Sequence, residues 1–225
     1  MGERINLNTA GMHCIGAYLA RPAGDPKGGI VVVQEIFGVT AHIRDVADGF
    51  ARKGYTAIAP AFFDYVENDV ELDYDKTGTE RGKALAAEVG LDRAVEAVAS
   101  AADSIRSSGK VGVVGYCWGG TVALLAAQRL GLPSVSYYGA RNLPFLDQPL
   151  EAPAMFHFGA KDRSITSDAV QKHRDAYPDA PVYVYGHAGH AFNRDVDPGH
   201  YDPEGAPVAL QRTLEFFDRH LAGKA

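Results

Sequence analysis

The residue best placed to do chemistry in this chain is Cys117, in the run Gly115-Tyr116-Cys117-Trp118-Gly119-Gly120. A β-branched stretch, Val111-Gly112-Val113-Val114, leads into it, and a helix-forming stretch, Thr121 to Gln128, leads out. A strand that passes into a helix through Gly-x-Cys-x-Gly-Gly has the form of a nucleophile elbow with sulfur in place of a serine oxygen. Gly115 and Gly119 leave room for a turn too sharp to admit a Cβ. The turn lifts the thiol to the helix N-terminus, where unpaired N–H groups and the helix dipole favour a thiolate. Two plainer readings compete. One is an inert, buried cysteine beside a tight turn. The other is a phosphate-cradling loop of the dinucleotide type, which belongs near the first strand with an acidic residue about twenty positions on. This run lies mid-chain, and the helix after it carries no acid.

A thiol with its ordinary pKa of about 8.5 is mostly protonated at neutral pH, so it needs a base or a positive field to react. Asp162 closes Phe158-Gly159-Ala160-Lys161-Asp162, and His190 lies in Gly186-His187-Ala188-Gly189-His190-Ala191-Phe192; both follow expected strands. The plain alternative for Asp162 is a cap or turn residue, and for His190 a surface histidine. His187 is a rival base three positions away. His190 is preferred because it lies deeper in the loop, after Gly189, with Phe192 available to pack behind it. Glu35 stands at the tip of the strand Gly29 to Gln34, either as a salt-bridged strand end or facing the thiol. If it faces Cys117, repulsion between two anions keeps the sulfur protonated in the free enzyme. The backbone N–H groups of Trp118 and Ile36 are the expected oxyanion donors. Arg194, four residues past His190, and Arg81 are either solvated or available to grip a substrate carboxylate bidentately.

These residues need a scaffold that brings post-strand loops to one edge. Buried runs at 29–34, 55–60, 111–115, 133–138, 154–158 and 182–186 alternate with helical periodicity at 42–53, 92–107, 121–128, 166–176 and 206–221. In the last helix Leu210, Leu214, Phe217 and Leu221 form one apolar stripe. Residues 13–20 read as a short edge strand in which Cys14 packs inward, and residues 61–81 as a long acidic, tyrosine-rich excursion. Alternation without linker or repeat predicts one α/β domain over 1–225, a mostly parallel twisted sheet with helices on both faces and a minimal cap. In such sheets ligands sit at the carboxyl ends of the strands. Glu35, Cys117, Asp162 and His190 all follow strands. The order nucleophile, acid, base is that of α/β-hydrolases.

With 225 residues, 46% of them hydrophobic, the chain can bury a full core. Its net charge of −6, spread without runs, argues against nucleic acid or an anionic membrane as partner. Two cysteines make no disulfide framework and fit a reducing compartment, so the expected location is cytoplasmic. No metal cluster or cofactor fingerprint is present, and the expected state is a monomer acting on a small ester or lactone.

The chain resembles the dienelactone hydrolase family, the carboxymethylenebutenolidases, over nearly its whole length. The resemblance rests on Gln34-Glu35-Ile36-Phe37-Gly38, on Gly115 to Gly120, on Gly159-Ala160-Lys161-Asp162 and on Gly189-His190-Ala191-Phe192. It implies a Cys117–His190–Asp162 triad with Glu35 relaying the thiol proton. It also implies that Arg81 and Arg194 grip a substrate carboxylate, and that Phe37, Tyr138 and Phe192 contact the substrate. The implied reaction opens dienelactone or a related enol lactone to a maleylacetate-type product in aromatic catabolism. A general carboxylesterase or thioesterase of the same family is the alternative. Residues 82–90 depart from the family pattern by being short and lacking pocket aromatics.

Overall fold

A computed structural model describes residues 2–10 and 13–221. The two ends of the single domain expected over 1–225 therefore lie outside the described residues. The elements are β1 (Glu3–Asn8), β2 (Cys14–Ala20), β3 (Gly29–Val33), α1 (Ala41–Arg52), β4 (Thr56–Pro60), α2 (Lys76–Ser104), β5 (Val111–Tyr116), α3 (Trp118–Arg129), β6 (Ser134–Tyr137), β7 (Ala154–Gly159), α4 (Ser167–Ala176), β8 (Val182–Tyr185) and α5 (Gly205–Leu221). The strands follow the order β1-β2-β4-β3-β5-β6-β7-β8 in a sheet of eight. The backbone divides into two compact units, one running to Val113 and taking in Leu221, the other Val114–His220.

In the first unit β3 and β4 are buried along their whole length and pair in parallel, as their unbroken apolar runs predict. The N-terminal strands correct the expected order. β2 is not an edge, because it lies antiparallel between β1 and β4, and Cys14 at its start is exposed rather than packed. The segment Glu3–Asn8 buries only Leu7 fully, too weak an apolar pattern to announce a strand.

The excursion is shorter than expected, because helix begins at Lys76. Asp75 caps α2 by accepting the Gly78 N–H at 2.7 Å. Gly78 and Gly82 are close-approach positions. A Cβ on Gly78 would come within 2.0 Å of the Asp73 carbonyl oxygen, and one on Gly82 within 1.8 Å of the Ile36 oxygen. The helix then kinks at Gly90, whose φ is 74°. Before it, the excursion is stitched to the loop after β3. The Leu72 N–H donates to the Phe37 carbonyl at 2.9 Å, Tyr74 meets the Phe37 ring edge-on, and Thr40 and Tyr74 share a hydrogen bond.

In the second unit β6, β7 and β8 run parallel. Helix α5 buries Phe217 and Leu221 of the expected stripe, but its inward face is shifted away from Leu210. Ala206, Ala209, Thr213, Phe216 and Phe217 are buried, and Leu210 is exposed. The small alanines let the helix come close, and Thr213 joins a buried polar network. Its hydroxyl donates to the Ala209 carbonyl at 2.9 Å and lies 2.7 Å from the Tyr137 hydroxyl and 3.1 Å from His157 Nε2. His157 Nδ1 meets the Tyr185 hydroxyl at 2.9 Å. One proton assignment satisfies every contact: Tyr137 and His157 Nε2–H donate to Thr213, and Tyr185 donates to His157 Nδ1. It requires a neutral imidazole, and burial lowers the His157 pKa to about 3, with nearby Arg212 acting in the same sense.

Candidate active site

The elbow forms because two glycines each clear a specific obstacle. A Cβ on Gly115 would lie 1.8 Å from the Gly119 carbonyl oxygen, and one on Gly120 would lie 2.6 Å from the Tyr137 oxygen. Between them Cys117 takes φ 55° and ψ −114°, a conformation L residues rarely adopt. Its N–H donates to the Tyr137 carbonyl at 3.0 Å, which ties the bend to β6. The thiol makes no capping bond to α3, and Trp118 opens the helix. N–H groups of a first helical turn have no carbonyl within their own helix.

Gly159 does the equivalent work for the other two loops. A Cβ there would come within 2.5 Å of the Ala188 oxygen and 2.6 Å of the Gly189 oxygen. Its absence lets the loop after β8 press against the end of β7, where the Lys161 N–H donates to the Ala188 carbonyl at 2.9 Å. Cys117, Asp162 and His190 then converge. His190 Nε2 lies 3.2 Å from Cys117 Sγ, and His190 Nδ1 lies 2.7 Å from Asp162 Oδ2. The other carboxylate oxygen of Asp162 accepts the Ser164 N–H at 2.7 Å. The Asp162 side chain is wholly buried and that of His190 is 28% exposed.

Burial disfavours the charged imidazole, but hydrogen bonds and charge from Asp162 and Cys117 outweigh it and raise the His190 pKa to about 10. His190 therefore carries two protons at neutral pH, one toward the carboxylate and one toward the sulfur. Its ring packs on Tyr138 at 5.1 Å, and Phe192 packs on Tyr137, Tyr138 and Tyr185. Tyr138 and Phe192 are both fully buried and pack on each other beside the imidazole. Among the described residues four non-glycines have positive φ, and three of them, Cys117, Tyr138 and Ala191, lie at or beside this constellation. Strain of this kind concentrates at functional sites.

One turn past the imidazole, the Arg194 N–H donates to the Ala191 carbonyl at 2.9 Å. The Arg194 side chain is buried, and its Nη2 meets Asp197 Oδ2 at 2.8 Å. His187, the rival base, is exposed. Among the described residues no three His, Cys, Asp or Glu side chains converge as a metal ion would require, and no helix is long and apolar enough to cross a membrane.

The sequence model of the dienelactone hydrolase family matches residues 15–221. The chain belongs to the dienelactone hydrolase family. It is 34% identical over 226 residues to carboxymethylenebutenolidase 1 of Cupriavidus pinatubonensis, covering 95% of this chain and 94% of that protein. It is 32% identical over 225 residues to the carboxymethylenebutenolidase of Pseudomonas putida, covering 95% of each. A crystal structure from Klebsiella pneumoniae, provisionally named a dienelactone hydrolase, superposes with a TM-score of 0.85 at 30% identity, covering 96% of this chain and 98% of that one. The fold is thus that of the α/β-hydrolases, and the chain is a hydrolase of small esters or lactones.

Other residues that the family resemblance singles out lie in the first unit. Glu35 is almost fully buried at the end of β3. Ile36 is held against α2 at Gly82, and Phe37 is buried against Tyr74. Arg81, in the first turns of α2, is half exposed and ion-paired with Glu67. Sequence reasoning missed Asp197 and the His157–Thr213 network. The only signal for Asp197 is its place three residues after Arg194. Nothing local marks Thr213, which reads as a polar interruption in an amphipathic helix.

Proposed function

We propose that this dienelactone hydrolase family member is a cysteine-dependent hydrolase of a small enol lactone or related ester, working through an acyl-thioenzyme. The observation that carries the reading is His190 standing between Cys117 Sγ and Asp162, within hydrogen-bond reach of each. In this scheme the sulfur attacks the carbonyl carbon as its proton resides on His190. The N–H groups of Trp118 and Ile36 receive the oxyanion. The acyl–oxygen bond then breaks, His190 protonates the departing enolate, and an acyl-thioester remains. Water next gives a proton to His190 and attacks the thioester, and sulfur leaves as the anion. Asp162 keeps the imidazole in the one orientation that serves both steps.

By resemblance Glu35 assists by relaying the thiol proton, and Arg81 and Arg194 receive a substrate carboxylate; Phe37, Tyr138 and Phe192 shape the pocket. The reading includes a monomer. It also includes a cytoplasmic, reducing location that spares the thiol. The substrate of choice is dienelactone, on a route that degrades aromatic compounds. A general carboxylesterase or thioesterase is the second reading, favoured by the ion pairs that already occupy Arg81 and Arg194.

The test is turnover of dienelactone and of p-nitrophenyl esters by Cys117→Ala, with intact mass spectrometry of acid-quenched wild type. Loss of turnover and a mass increment on the wild type are expected; retained activity removes sulfur from the chemistry. Glu35→Gln is expected to slow acylation and spare the fold. An unchanged rate assigns the whole proton transfer to His190.

A further inference from the structure

Four neighbouring strands each contribute one ring to a continuous row. The Tyr116 ring of β5 lies 4.9 Å from Tyr137 of β6, Tyr137 lies 4.5 Å from His157 of β7, and His157 lies 5.7 Å from Tyr183 of β8. Helix α5 closes on this row. Its Arg212 guanidinium sits 4.0 Å over the Tyr183 ring, and its Thr213 hydroxyl meets both the Tyr137 phenol and His157 Nε2.

Tyr137 is the member of the row that also reaches the chemistry. Its carbonyl accepts the Cys117 N–H at 3.0 Å. Its ring packs on Tyr116, the residue before the sulfur, and at 6.0 Å on Phe192, two residues past the imidazole. Any residue at 137 would supply the carbonyl. What a tyrosine adds is a second anchor, because its phenol donates at 2.7 Å to Thr213, which is itself tied to the Ala209 carbonyl and to His157. Burial pushes the phenol pKa up, so it keeps its proton and stays a donor at neutral pH.

The anchor matters because Cys117 holds a φ of 55°, which an L residue keeps only under constraint from outside. We propose that Tyr137 is a positioning residue for the cysteine chemistry: its hydroxyl, tied to Thr213, fixes the strand end on which the Cys117 N–H rests, and so fixes the sulfur against His190. This rests on the reading of Cys117 as the nucleophile. Sγ and Nε2 stand 3.2 Å apart, and a misplacement of about 1 Å at reacting groups costs on the order of 10²-fold in rate. Loss of a single tether displaces them by less.

The experiment is Tyr137→Phe, assayed with a p-nitrophenyl ester well below its melting temperature. The ring stays, and Thr213 retains the His157 N–H, so no buried donor is orphaned and the fold should persist. The expected result is a fall in kcat of about tenfold with KM changed less than about twofold, as when an interaction acts only in the transition state. Alkylation of Cys117 by iodoacetamide, followed on its own peptide to separate it from the exposed Cys14, should slow in parallel. Thr213→Val removes the acceptor instead of the donor and should match Tyr137→Phe, and the double variant should be no slower than either. Thr213→Ser keeps the acceptor and should retain wild-type kcat. A lowered melting temperature with kcat and alkylation unchanged overturns the proposal and leaves the bond a purely structural one. So does a loss carried by KM, and so does a Thr213→Ser variant as slow as Thr213→Val. Failure of the underlying reading looks different: Cys117→Ala would then still turn over the ester.

Discussion

The Asp162 carboxylate acts on His190 by geometry as well as charge. With Oδ1 taken by the Ser164 N–H, only Oδ2 is presented to the imidazole, so Nδ1 carries a proton toward the acid and Nε2 faces the sulfur. Asp162→Asn keeps the shape but can present an N–H to the ring and reverse that assignment. The expected result is a fall in kcat of about 10³–10⁴-fold, by analogy with serine triads, with a much smaller change in melting temperature. Activity and circular dichroism melts on the same preparation check it. That Cys117, Asp162 and His190 are neighbours was legible from their positions after strands. The partner of Arg194 was not, because an arginine one turn past a histidine reads the same whether it waits for a ligand or is already held.

Elements are placed in this protein by what is missing at glycines. Gly159→Ala forces its new methyl against two carbonyl oxygens of the loop that carries His190. Backbone cannot yield as a side-chain tip can, so the expected cost is about 1–3 kcal/mol of stability. Activity should fall more than the melting temperature implies, because the displaced segment is the one that presents the imidazole. Asp75→Ala is the complementary case. It removes the acceptor for the Gly78 N–H and should cost about 1 kcal/mol in a urea titration, with little effect on catalysis. The same pair of observations explains why the start of α2 escaped sequence analysis. Glycines at 78 and 82 lower helix propensity, yet Ile36 and Asp73 backbone crowds both positions, and close approach outweighed propensity.

Across the whole molecule, the two histidines whose pKa values move furthest are held in opposite protonation states. His190 binds its proton more tightly folded, at about 10, than the ordinary value of 6.5. Its stabilisation is complete below about 6.5 and is lost as pH climbs toward 10. His157 binds its proton less tightly folded, at about 3, so the unfolded chain takes up the extra proton between 6.5 and 3 and stability falls as pH drops through that window. The melting temperature should therefore peak near pH 6.5, with His190→Gln flattening the alkaline limb and His157→Gln the acid one. A profile whose limbs survive these changes would assign them to other groups. Thr213→Val belongs at this scale too. It leaves the Tyr137 hydroxyl and His157 Nε2–H without their shared acceptor and should cost about 1–3 kcal/mol in thermal unfolding.

Short-range order in the chain was enough to determine the strand-turn-helix at Cys117, the alternation of β and α, and the placing of Cys117, Asp162 and His190 after strands. These depend on residues adjacent in sequence, on β-branching, on glycine at a forbidden bend and on apolar periodicity. Tertiary structure alone decided that β1 outflanks β2, that α5 presents Thr213 rather than Leu210 to the core, and that Asp197 occupies Arg194. Each of those outcomes is a competition among several possible neighbours. Only the final distances between segments decide which neighbour a hydrogen-bonding or charged group meets.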